Sequence, residues 1–350
     1  MNPETRPNRV SAVNIVFLIT ILISVVCSYV PLDFLPDNPV VQMLFSQGIL
    51  VVPAAIFMIK ERMSYRETTQ LRKMKISNVL LVILLGFMIQ PVLTFINALS
   101  MVFSVNITSS FLFDLSGELP FLVTLFLVAV VPAVCEESVY RGFFFSEYRK
   151  VSPWHAVLIS GLLFGIMHGN LNQFCYATVM GIVFALIIEA TGSILSTMLI
   201  HFFTNAGSIV SIYLYPYLFE MVKILHKTYI ETGDADMAQA LEQSFGDMSL
   251  TGREWMGQML SSPVELTLAD VFAVYFAPAV FMGILSFFLF RYIAKRNGNW
   301  ERIRGFVKKD PENPVQPAEK GSLMTLPLVI AIAVGVVAMF AYEMLMRLPR

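Results

Sequence analysis

Polar positions are sparse along this chain and collect between long apolar runs. Read in order, those runs fall at 10–30, 40–59, 77–103, 119–149, 154–169, 172–190, 193–215, 269–293 and 322–346. A helix needs about 20 residues to cross a hydrocarbon core. The runs are continuously apolar and lack the alternation of barrel strands, so they predict helices. The expected fold class is all-α, a polytopic integral membrane helical bundle with about eight to nine spans. The run 119–149 is longer than a bilayer and should emerge from it in part. The first run follows Arg6 and Arg9, as the core of a secretory signal would. It is too long for that and has no small-x-small site before Pro31, which predicts a retained anchor.

Two stretches break the pattern. Residues 216–268 carry an excess of acidic side chains, and the segments MAQALEQSF and REWMGQML have short amphipathic periodicity. They predict an extramembrane loop with one or two surface helices. Residues 297–321 read as a polar, proline-containing linker. The expected organisation is therefore N-terminal spans at 1–118, a membrane core at 119–215, the loop at 216–268, and C-terminal spans with their linker at 269–350. Lys60, Arg62, Arg66, Arg72, Lys73 and Lys75 crowd one connection, and Lys295, Arg296, Arg302, Arg304, Lys308 and Lys309 crowd another. Basic loops stay in the cytoplasm, which places the N-terminus there and Asp33 and Asp37 outside. Arg347 and Arg350 disagree with a nine-span count.

Composition sharpens the class. The chain is 56% hydrophobic and 14% charged, with a mean hydropathy of +0.69, which excludes a soluble protein of 350 residues. A net charge of −1 gives no footing for a nucleic-acid partner, leaving membrane lipid and membrane-associated molecules, with the cell membrane as the expected location. Cys27, Cys135 and Cys175 stand alone in apolar runs and suggest no disulfide framework.

Against this background a few polar side chains stand out. Glu136, Glu137 and Arg141 lie within six residues at the end of an apolar run, where each charge costs ~2.5–3.5 kcal/mol at a bilayer centre. His168 and His201 sit in the following runs, with Asn205 four residues beyond His201. Counted from the cytoplasmic ends at 1.5 Å per residue, Glu136 lies ~20 Å deep, His168 ~21 Å and His201 ~12 Å, roughly one zone. Glu137 and Arg141 are four apart and share a helix face, whereas Glu136 points about 100° away. The first pair suits a buried ion pair, and Glu136 is left free to act as a base. His168 could share a water with Glu136. His201 and Asn205 could donate to a developing oxyanion. An isolated Glu–Arg pair or a lone histidine in a span is often mere packing. Their convergence on three neighbouring segments predicts a site. His155, at a span end, and His226, in the loop, read as interfacial or solvated. Cys135 has apolar surroundings that do not activate a thiol.

The ordered motifs E-E-x-x-x-R (Glu136, Glu137, Arg141), F-x-x-x-H (Phe164, His168) and H-x-x-x-N (His201, Asn205) resemble those of the CAAX prenyl protease and bacteriocin-processing family of intramembrane endopeptidases. The text TGSILSTMLIHFFTN is similar to that family as well, and the resemblance covers about 120–210. It implies peptide-bond hydrolysis within the membrane, with Glu136 and His168 activating water, His201 and Asn205 stabilising the oxyanion, and Glu137, Arg141 and Phe164 in support. The substrate would be a membrane-associated or lipidated protein or peptide.

Two routes to the attacking water remain. Glu136, His168 and His201 could hold Zn²⁺ with an open position. A metal-free glutamate mechanism is preferred, because Asn205 is a poor zinc ligand and a good oxyanion donor. The competing classes are a transporter using the Glu/His cluster as a proton relay, and a non-catalytic immunity or binding protein of the same fold.

Overall fold

The computed structural model describes residues 7–30, 33–261, 266–306 and 322–348, and every regular element among them is helical. In chain order the main helices are α1 (Pro7–Tyr29), α2 (Pro39–Lys60), α3 (Ile76–Met101), α4 (Phe121–Tyr148), α5 (Pro153–Ile166), α6 (Leu171–Thr191), α7 (Leu195–Thr232), α8 (Leu268–Arg296) and α9 (Leu326–Arg347). All but α5 are long and apolar enough to cross a membrane, which makes eight candidate spans among the described residues. The chain is a polytopic all-α membrane bundle.

Two segments differ from the sequence expectation. The run 154–169 forms a helix of only 14 residues, about 21 Å long, short of a hydrocarbon core of about 30 Å. It ends because Gly169 takes φ +70°, a conformation costly for residues with a Cβ. Asn170 then starts α6 by accepting a hydrogen bond from the Gln173 N–H. The second difference is α7, which continues through Pro216 to Thr232, into the stretch read as loop. Beyond it, Ala235–Phe245 and Gly252–Ser261 are the short helices that the amphipathic pattern predicted. The described part of the 297–321 linker contains a helix at Trp300–Gly305, and 307–321 lie outside the described residues.

The chain separates into two compact units: Met1–Val105 with Ala129–Thr204 and Leu266–Arg350, and Asn106–Val128 with Asn205–Glu265. In the first, α5 and α6 pack closely at two glycines of α5, over which the Ile182 and Thr178 side chains and the α6 backbone lie. A Cβ on Gly161 would meet the backbone of Thr178 and Ile182 at 2.9 Å, and one on Gly165 would meet Phe174 O at 2.9 Å. Small residues four apart let two helices approach this closely in lipid. The approach fixes the C-terminal end of α5, which carries Phe164 and leads to His168.

Basic side chains gather at one end of this unit. Arg9 reaches Glu147 at 2.7 Å, Lys150 reaches the same carboxylate at 2.5 Å, and Arg149 binds Glu189 at 2.6 Å. Arg302 from the short helix also pairs with Glu189, tying α6 to the last basic connection. In the second unit, Phe219 stacks on Trp255 at 4.8 Å and Lys223 donates to Leu250 O at 2.7 Å, fastening the extended end of α7 to its following helices.

Candidate active site

The site grows from α4. Regular α-helix at Val131–Glu137 passes into π-helical turns at Ser138–Phe145, a widening often found where side chains must be re-aimed. Glu137 and Arg141 are both fully buried, with Arg141 Nη1 3.2 Å from Glu137 Oε1. His201 Nδ1 lies 3.1 Å from the same oxygen. Arg141 makes no hydrogen bond of good geometry despite this ion-pair distance. Its guanidinium instead lies over Phe164 at 4.4 Å and Phe184 at 5.1 Å, where ring faces stabilise a desolvated cation. Phe164 thus has a defined task beneath the arginine.

Glu136 is oriented differently, as the helical spacing predicts. Its side chain is 16% exposed, and its Oε2 sits 3.8 Å from His201 Nε2. His201, 2% exposed, is therefore bracketed by the two glutamates. On the other oxygen, Gln47 of α2 donates from Nε2 at 3.2 Å. His168 is half-buried just past α5, with Nδ1 2.8 Å from Phe164 O and its ring edge-on to Phe164 at 4.9 Å. With the proton of Nδ1 donated to that carbonyl, Nε2 is left as the basic nitrogen.

Glu136 and His168 line one cavity of about 530 Å³, within the size range of ligand sites. Tyr140 and Gln47 line it as well, and each brings a buried polar atom without a partner, the Tyr140 hydroxyl and Gln47 Oε1. An unmet buried polar group costs ~1–3 kcal/mol, so such atoms cluster where a ligand or water completes them.

Asn205 belongs to the second unit, where its Nδ2 donates to Val128 O at 2.9 Å. The histidines set aside are engaged elsewhere: His155 with Ser152 at 2.7 Å and His226 with Glu242 at 2.9 Å. For the zinc alternative, three converging ligands are required. Among the described residues no group of three His, Cys, Asp or Glu side chains is arranged to hold a metal ion. Glu136, His168 and His201 do not fit that role as placed. Gln47 was missed from the sequence. Its signal was a carboxamide in the middle of an otherwise apolar span, where polar side chains usually find a partner on another helix.

Fold and site together define a polytopic helical membrane protein with a buried carboxylate–imidazole centre. Residues 117–207, the stretch that carries all three motifs, match the family described as type II CAAX prenyl endopeptidase Rce1-like. The resemblance read from the motifs therefore holds, and the general class it supports is a multi-pass membrane peptidase with membrane-associated substrates. No curated protein and no solved structure matches the chain.

Proposed function

We propose that the protein is an intramembrane endopeptidase that hydrolyses a peptide bond of a membrane-associated or lipidated protein or peptide. The observation that carries this reading is the pairing of Glu136 and His168 on one cavity wall, with Glu137 withdrawn into an ion pair behind it. Glu136 takes a proton from water while the water oxygen bonds to the scissile carbonyl carbon. The same proton then passes to the leaving nitrogen as the C–N bond breaks. His168 Nε2 helps orient the water. His201 Nε2, facing Glu136, is placed to donate to the oxyanion when protonated. The role of Asn205 as second oxyanion donor rests on its H-x-x-x-N spacing. Glu137, Arg141 and Phe164 hold the imidazole and the helix turn in position. The basic connections support an N-terminus on the cytoplasmic side, with the cell membrane as the location.

New protein termini in host membranes, mapped by mass spectrometry for wild type and for Glu136→Gln at equal expression, test this directly. Termini that appear only with the wild type support proteolysis and name the substrates. Coincident maps alongside a phenotype of the variant favour a proton relay instead.

A further inference from the structure

The candidate cavity and the basic end of the first unit lie at opposite ends of the same helices. α1 enters at the basic end, where Arg9 meets Glu61 and Glu147, and it lines the cavity only with its last turns, through Ser24, Cys27 and Ser28. α2 runs the other way. Its first half, from Gln42 to Leu50, lines the cavity, and it finishes at Lys60 beside the basic cluster. Gln47, the residue that touches Glu136, is eight residues into α2, about 12 Å from that helix's N-terminal end. Exposure grades in the same direction. Tyr140, Phe164 and Leu50 form a buried floor, whereas Ser28, Val30 and Gln42 at the α1–α2 connection are exposed and form the mouth.

Charge then orients the mouth. Arg9, Arg62, Arg149 and Lys150 line a second cavity at the far end, and the described residues of the mouth, 28–30 and 33–42, include no lysine or arginine, only Asp33 and Asp37. Arg347 lies with Phe103 at the end of α3, where Glu343 pairs with it at 2.8 Å. Arg347 apart, these basic helix-end residues lie away from the mouth, and an excess of basic residues marks the cytoplasmic side, so the mouth faces away from it.

We infer that the cavity opens to the extracytoplasmic side, between α1 and α2, and that it takes an extended, uncharged stretch of an exported or membrane-anchored polypeptide from that side. A chain with a cytoplasmic C-terminal lipid would approach from the wrong face. The side of access stands on the cavity's geometry and the distribution of basic residues, and only the nature of the substrate rests on the proteolytic reading. The mouth suits an uncharged main chain. It offers hydroxyls and a carboxamide from Ser24, Ser28, Ser46 and Gln42 among apolar side chains, with no cationic side chain on the wall.

Cys27 provides a native reporter. The full chain, in intact cells and in inverted membrane vesicles, is treated with a membrane-impermeant maleimide, and the Cys27 adduct is read by peptide mass spectrometry. Gln42→Cys is a second reporter at the mouth, and Arg62→Cys marks the basic end. Cys27 and Gln42→Cys should label about tenfold or more faster in intact cells and Arg62→Cys faster in vesicles, since each thiol's chemistry is unchanged and only access differs. The reverse pattern, equal labelling from both sides, or no labelling of both mouth positions overturns the inference. Because labelling needs no turnover, outside access without any wild-type-specific termini would leave the inference standing and remove the proteolytic reading.

Discussion

The two cavities of the first unit handle charge in opposite ways. The one at the basic end, about 380 Å³, is crowded with Arg9, Glu61, Arg62, Glu67, Glu147 and Lys150. Its cations are partly exposed, Arg9 at 28% and Lys150 at 39%, and both reach the buried Glu147 from the solvent side. Pairs of this kind contribute little, ~0–1 kcal/mol each, and several together mainly hold helix ends in register. The cavity at the mouth has a single carboxylate, Glu136, served by one amide donor and one imidazole. The neighbouring pair, Glu137 and Arg141, is completely buried. Position decides the outcome. A carboxylate among many cations is taken up in ion pairs, whereas Glu136, set apart from them, is left on a cavity wall.

Substitutions can break this contrast, beginning with the largest effect. Glu136→Gln keeps shape and hydrogen-bonding reach but removes the base. Turnover should fall by ~10²–10⁴ toward background, as should that of His168→Ala, while each protein still inserts and purifies. Full activity in either variant rules out the proposed mechanism. Arg141→Met leaves Glu137 buried without its cation, and thermal unfolding in detergent should show a loss of ~3–5 kcal/mol, the usual consequence of breaking one side of a buried pair. An unchanged melting curve would mean that the ring faces, and not the carboxylate, determine the packing there.

Asn205→Ala should lower kcat by ~10²–10³ with little change in KM, the pattern for a donor used only in the transition state. A pure stability loss would assign the carboxamide to its Val128 contact. Gln47→Leu removes a hydrogen bond to a charged group, worth ~1.5–3 kcal/mol, and kcat should drop about 10- to 100-fold with little change in KM, because the donor that orients Glu136 is lost. An unchanged kcat would make Gln47 a packing residue. At the basic end, Lys150→Gln should cost no more than ~1 kcal/mol, since Glu147 keeps Arg9. A larger loss there would erase the distinction between the two cavities.

Much of this protein was legible along the chain. Burial in lipid requires long apolar helices, so hydropathy alone reported the all-α bundle and the positions of its spans. The cost of charge in the membrane singles out Glu136, Glu137 and Arg141, and helical spacing alone separates the glutamate paired with Arg141 from the other one. Spacing along one helix is a local property, and it is visible in a list of residues.

Contacts between helices are not. That Gln47 of α2 would donate to Glu136, 89 residues away, depends on how α2 packs against α4. That His201 would lie between both glutamates, and not simply beside an oxyanion, depends on where α7 meets α4. The apolar run at 154–169 looked like a span, yet a turn at Gly169 and a cap at Asn170 stop it short and leave His168 beside the cavity. Hydropathy records which residues prefer lipid. Only close packing, such as the contact of α5 with α6 through Gly161 and Gly165, determines which polar groups meet.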